Sequence, residues 1–155
     1  MHYRWSTFDD LSAARLYELL GFRQSVFIVE QASAFQDLDG RDPFCWHLAV
    51  RDRPGGELLG YARCCGPRDG APAFIGRFVV APAARGLGLG RRLVAESLRQ
   101  VTLHHPHVDV MLSAQVHLQP FYAGFGFRTE GESYDDGGIE HVTMRLRTVP
   151  AEAAA

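Results

Sequence analysis

Between residues 9 and 31, in "DDLSAARLYELLGFRQSVFIVEQ", apolar side chains at Leu11, Leu16, Leu19 and Leu20 make one helical stripe. Val26 and Phe27 carry it past Gly21, so the segment reads as one or two helices. The pattern then changes. "FCWHLAVRD" (44–52) and "ELLGYARCCG" (57–66) read as strands joined by the turn "RPGG". "AFIGRFVVAP" (73–82) reads as a third strand, ended by Pro82. From 90 to 103 the helical period returns, with Leu93, Val94, Leu98 and Val101 facing inward and Arg91, Arg92, Glu96 and Arg99 outward. "VDVMLSAQ" (108–115) is a buried strand, and "HLQPFYAGFGF" a short helix ending near Gly124 or Gly126. "FRTEGESY", a "DDGG" turn and "IEHVTMRLR" form a second hairpin. Two helices followed by β, β, β, α, β, α, β, β predict an α/β fold: a mixed sheet with helices on both faces.

Composition narrows the function classes. At 155 residues the chain reads as one domain over 1–150, with a disordered tail at 151–155. A net charge of −2 argues against nucleic acid or an anionic membrane as partner. Its apolar runs fall well short of the ~20 residues that span a bilayer, and "MHYRWSTFDD" has no secretory core. Three cysteines, Cys45 and the adjacent Cys64 and Cys65, do not suggest a disulfide framework and favour a reducing, cytoplasmic location. All sixteen basic residues are arginine. Oligomeric state is left open, a homodimer included.

The chemistry-bearing stretch is "RGLGLGRRL" (85–93), lying between a β-branched strand and an amphipathic helix. Glycines there let backbone N–H groups approach a ligand that a Cβ would repel, and a helix start favours an anion. Arg85, Arg91 and Arg92 add positive charge, so the stretch reads as a pyrophosphate cradle. A P-loop needs a lysine, which the chain lacks. A dinucleotide fingerprint is also weak: its third glycine position holds Leu93, and Asp109 opens the next strand instead of following one.

"VVAP", Arg85-x-x-Gly88-x-Gly90 and "FYAGFGF" together resemble the GNAT superfamily of N-acetyltransferases. "VFIVEQ", "QDLDGRD", "IGRFVV", "AQVHLQPFYAGFGF" and "GIEHVTM" resemble its ElaA-like branch, the likeness running from about residue 5 to 147. The resemblance implies a central, mostly antiparallel sheet splayed at two parallel core strands. It implies acetyl-CoA as cosubstrate, without a metal, lying between strands 74–82 and 108–115. Phe78, Val79 and Val80 would pair with the pantetheine arm; Arg85, Gly86, Leu87, Gly88, Leu89, Gly90 and Arg91 would hold the pyrophosphate. The implied activity is acetyl transfer to a primary amine of a small molecule or peptide, by direct attack in a ternary complex. The alternative is an acyl-CoA-binding regulatory module without turnover.

The same likeness marks Tyr122, beside the coenzyme sulfur, as the candidate acid for the departing thiolate. The glutamate that some members carry before the glycine loop is missing from "AFIGRF", so a base must come from elsewhere. Glu30 and His117, with Tyr122, make the candidate catalytic set. His141, on a polar strand position, is a further base candidate. Arg23, Gln31, Asp37, Asp39, Gln115 and His141 are the candidate acceptor-binding residues. "QDLDGRD" has the wrong spacing for a calcium loop, and "HHPH" (104–107) reads as a solvated connection.

Overall fold

The structure, a computed structural model, describes residues 1–148; the tail expected at 151–155 lies outside the described residues. Seven strands form one sheet in the order β1-β2-β3-β4-β5-β7-β6. They are β1 His2–Thr7, β2 Cys45–Arg51, β3 Leu58–Cys65, β4 Ala73–Val80, β5 Val110–Gln115, β6 Arg128–Asp136 and β7 Ile139–Leu146. The helices are α1 Ala13–Gln24, α2 Leu89–His104 and the short α3 Gln119–Ala123. No helix among the described residues is long and apolar enough to cross a membrane.

The elements follow the predicted order with one addition. β1 pairs antiparallel with β2 from His2↔Arg51 to Thr7↔Trp46 and extends the sheet beyond the predicted set. α1 begins where Ser12 accepts a hydrogen bond from the Arg15 N–H, a side-chain N-cap. Gly21 does not stop it. The helix runs into a π-helical segment, Ser25–Glu30, closed by Gln31 N–H donating to Val26 O at 3.0 Å. This wider turn rotates the following side chains relative to an α-helical continuation. On α2, Leu89, Leu93, Val94, Ser97 and Val101 are buried against β3 and β4, as the periodicity requires.

Two departures from regular pairing shape the sheet. β4 and β5, its only parallel neighbours, pair at Ala73↔Val110 and Phe74↔Met111 and no further. Beyond Phe74 the seam opens. On its other edge β4 carries a bulge: Tyr61 pairs with Val79 and Arg63 with Gly76, so Ala62 opposes both Arg77 and Phe78. Arg77 adopts φ +51 there, a left-handed backbone that L-residues occupy only when the surroundings enforce it.

The cysteine reading is corrected. Register places Cys45 directly opposite Cys65, their Cα atoms 4.3 Å apart, and the two form a disulfide across β2–β3. Twenty positions separate them in sequence, and only the hairpin alignment reveals them as partners. Cys64, on the opposite face, is free and buried, and burial pushes its thiol up to about 12.

Candidate active site

The open seam leads directly to the glycine loop. Gly86 and Gly88 have φ +79 and +75, conformations that penalise a Cβ. Gly90 has an ordinary backbone, and a Cβ at any of the three would project into open space. Gly88 caps α2, and the first N–H of that helix with a backbone acceptor is Arg92, 3.2 Å from Gly88 O. The N–H groups ahead of it are therefore free donors at the positive end of a 16-residue helix. This cradle, beside the unpaired β5-facing edge of β4, fits a pyrophosphate with an extended arm. Leu89 contributes backbone alone, since its side chain is buried against Gly60. Leu87 is exposed, and Arg91 lies over the rings of Phe121 and Phe125 at 5.9 and 5.1 Å.

A cavity of about 170 Å³ opens in the splay, across the seam from the loop. Its walls come from the π-helical segment (Phe27, Gln31), β4 (Gly76 to Phe78), β5 (Ser113, Gln115), α3 (Tyr122) and the β6–β7 hairpin (Asp136, His141). The structure thus brings together Tyr122, Gln31, Gln115 and His141. Gln115 reaches toward Gln31 at 3.4 Å.

Tyr122 is buried among Phe121, Phe78 and Phe127, with ring centroids 5.1, 6.2 and 6.3 Å away. Burial pushes its phenol up to about 12, so it stays protonated across the neutral range. His141 Nδ1 lies 2.7 Å from Ile139 O. A carbonyl only accepts, so Nδ1 carries the proton and Nε2 is left as the ring's acceptor. The imidazole stacks on Tyr134, whose hydroxyl meets the Ser113 hydroxyl.

The remaining candidates stand elsewhere. His117 is exposed and contributes no cavity wall. Glu30 also lies outside the cavity and pairs with Arg85 at 2.7 Å across the mouth of the seam. The Arg85 hydrogen bond lowers its pKa, the wrong direction for a neutral-pH base.

Arg23, Asp37 and Asp39 belong to a buried ion-pair network behind the β4 wall. Arg23 holds Asp37 at 2.9 Å and Asp42 at 2.7 Å. Arg63 holds Asp39 at 2.6 Å and Asp42 at 3.0 Å. Arg77 holds Asp37 at 2.8 Å and reaches Asp39 at 3.4 Å. Three guanidinium groups therefore neutralise three carboxylates, and the "QDLDGRD" turn is pinned to the sheet. Burial raises the Asp39 pKa, but the Arg63 hydrogen bond, the Arg41 N–H and the charges of Arg63 and Arg77 outweigh it and leave Asp39 well below the usual carboxylate range. His47, between Tyr61 Oη at 2.7 Å and Asp42 O at 2.9 Å, is held below its ordinary value by burial.

The sequence reading missed Ser113, Asp136 and Arg77 as cavity residues. Only Arg77 carried a signal, an arginine in an otherwise apolar strand.

The fold agrees with the comparisons. Residues 47–148 match the family described as Acetyltransferase (GNAT) domain, and the chain belongs to this GNAT acetyltransferase family; it is an acyltransferase. Within that family, a UPF0039 protein of Synechocystis is 41% identical over 152 residues, covering 97% of each chain. Protein ElaA of Escherichia coli is 39% identical over 144 residues, covering 92% of this chain and 94% of its own. The ElaA crystal structure superposes with a TM-score of 0.85 at 37% identity, over 94% of this chain and 99% of that one. An acyl-CoA N-acyltransferase from Pseudomonas aeruginosa gives 0.86 at 38% identity, over 93% and 97%.

Proposed function

We propose that the protein transfers the acetyl group of acetyl-CoA to a primary amine by direct attack, with both substrates bound at once. The observation that carries this reading is the half-open seam: β4 and β5 pair at two positions, then part, with a free-donor glycine loop on one side and, on the other, a cavity that sets a few polar side chains among apolar ones. Acetyl-CoA, when bound, supplies an acyl thioester. The β5-facing backbone of Phe78, Val79 and Val80 would align its arm. The N–H groups of residues 86–91, with Arg85 and Arg91, would hold its phosphates.

The chain's own groups then divide the proton work. An amine with a pKa near ~10.4 is almost wholly protonated at neutral pH and must lose a proton before it attacks. His141 Nε2 takes it, because Nδ1 is committed to Ile139 O. Tyr122 would face the departing sulfur of bound acetyl-CoA. With its phenol near 12, full proton transfer to a thiolate of ~8.5 would be uphill, so Tyr122 acts by donating a hydrogen bond. Gln31 and Gln115 orient the acceptor by hydrogen bonding.

Calorimetric titration with acetyl-CoA tests the cradle. The parent protein binds, and Gly88→Glu weakens binding by about a hundredfold or more, through repulsion of the phosphates. Gly88→Asn, which tolerates the left-handed backbone, retains it within about tenfold. Equal binding by parent and Gly88→Glu would move the coenzyme away from this loop.

A further inference from the structure

Arg77 is the one arginine lining this cavity among the described residues, and no sequence motif assigns it a task. Three observations set it apart. It stands on the strained bulge residue of β4, beside the stretch Phe78–Val80. Its side chain is 21% exposed and fixed from behind: Nε donates to Asp37 Oδ1 at 2.8 Å, and Nη2 contacts Asp37 O at 3.3 Å and Asp39 Oδ2 at 3.4 Å. Nη1 has no hydrogen-bond partner among the described residues, although Arg77 is part of the cavity wall and its guanidinium lies 5.4 Å from the ring of Phe35, another wall residue.

The network behind it determines the charge that the cavity feels. Asp37, Asp39 and Asp42 are matched by Arg23, Arg63 and Arg77, so no uncompensated carboxylate stands behind this wall to attract a second cation. The one cavity carboxylate, Asp136, is exposed at the rim. A half-buried guanidinium with a free nitrogen, held immobile by its other two, is a ready donor to an anion. Across the seam His141 presents an acceptor nitrogen. The cavity, about 170 Å³, is lined by both Arg77 and His141.

We infer that the acceptor is a small amino carboxylate, its carboxylate bound by Arg77 Nη1 and its amine directed to His141. This rests on the transferase reading and adds the substrate class. Arg77 is an anion-binding residue here and takes no part in proton transfer.

The test compares glycine, β-alanine and 4-aminobutyrate with their carboxamides and with 1,3-diaminopropane, by thiol release from acetyl-CoA. The same compounds are titrated calorimetrically into the protein–CoA complex. The parent favours at least one carboxylate over its carboxamide by about tenfold or more in kcat/KM or in affinity, the scale of a charged hydrogen bond. In Arg77→Gln that ratio falls to about one, and Arg77→Lys restores part of it. Should Arg77→Gln fail to fold, the parent's carboxylate-to-carboxamide ratio and the Lys variant decide. Carboxylates that bind without turning over uphold the inference and remove the transferase reading. Carboxamides or the diamine used as well as or better than every carboxylate overturn the inference and leave that reading intact. No binding or turnover of any carboxylate also overturns it.

Discussion

The three candidate catalytic residues have different surroundings. Tyr122 is buried at the cavity, His117 is exposed outside it, and Glu30 is tied to Arg85. A carboxylate whose pKa is lowered by its arginine partner gains nothing as a base near neutral pH. It does hold, from the acceptor side, an arginine expected to meet phosphate. Glu30→Gln therefore leaves kcat within about threefold of the parent and leaves the acetyl-CoA KM equal or lower, because Arg85 is released toward the loop. Steady-state kinetics with varied acetyl-CoA checks this. A hundredfold fall in kcat would return Glu30 to the role of base. Arg23, Asp37 and Asp39 show how residue identity can mislead: Asp37 and Asp39 in a polar turn look available, but Arg63 and Arg77, far along the chain on β3 and β4, hold them, and Arg23 is itself paired with Asp37 and Asp42.

At the scale of elements, what was legible in the sequence is what local periodicity encodes. The α2 stripe, both hairpins and the glycine loop follow from spacing and turn chemistry, and α2 at Leu89–His104 matches the predicted 90–103 closely. What was not legible depends on register. β1 alternates Tyr3 and Trp5 with polar residues, a weak pattern until β2 is there to pair with it. The π-helical turn that brings Phe27 and Gln31 to the cavity has no periodic signature, and the Arg77 bulge appears only when β3 and β4 are aligned. The Cys45–Cys65 link is of the same kind. Because it closes a loop spanning twenty residues, chain-entropy arguments assign it about 3 kcal/mol. Thermal unfolding with and without a strong reductant tests that. Reduction, or Cys45→Ser with Cys65→Ser, lowers the melting temperature by several degrees, and an unchanged midpoint would contradict the link's stabilising role.

Over the whole molecule, the sheet is continuous at one end of the β4–β5 seam and divided at the other, and the two sides of that division do different work. The proposed coenzyme side is one contiguous stretch, residues 78–91, and so it could be offered from the sequence with the family likeness. The proposed acceptor side is the cavity assembled from residues around 27–35, 76–78, 113–122 and 136–141, which only the fold collects. That is why Gln31, Gln115 and His141 could be named individually while Arg77, Ser113 and Asp136 could not. Tyr122 stands where the two sides meet, between the β4 wall and α3. The most direct measurement is therefore acetyl transfer by parent and Tyr122→Phe, followed as thiol release over the amine panel, beside the calorimetric Kd for acetyl-CoA. With the parent turning over, the phenylalanine variant should lose about tenfold to a hundredfold in kcat while its acetyl-CoA affinity stays within about threefold. A variant as fast as the parent, or a parent that binds acetyl-CoA and transfers to no amine, would contradict the account.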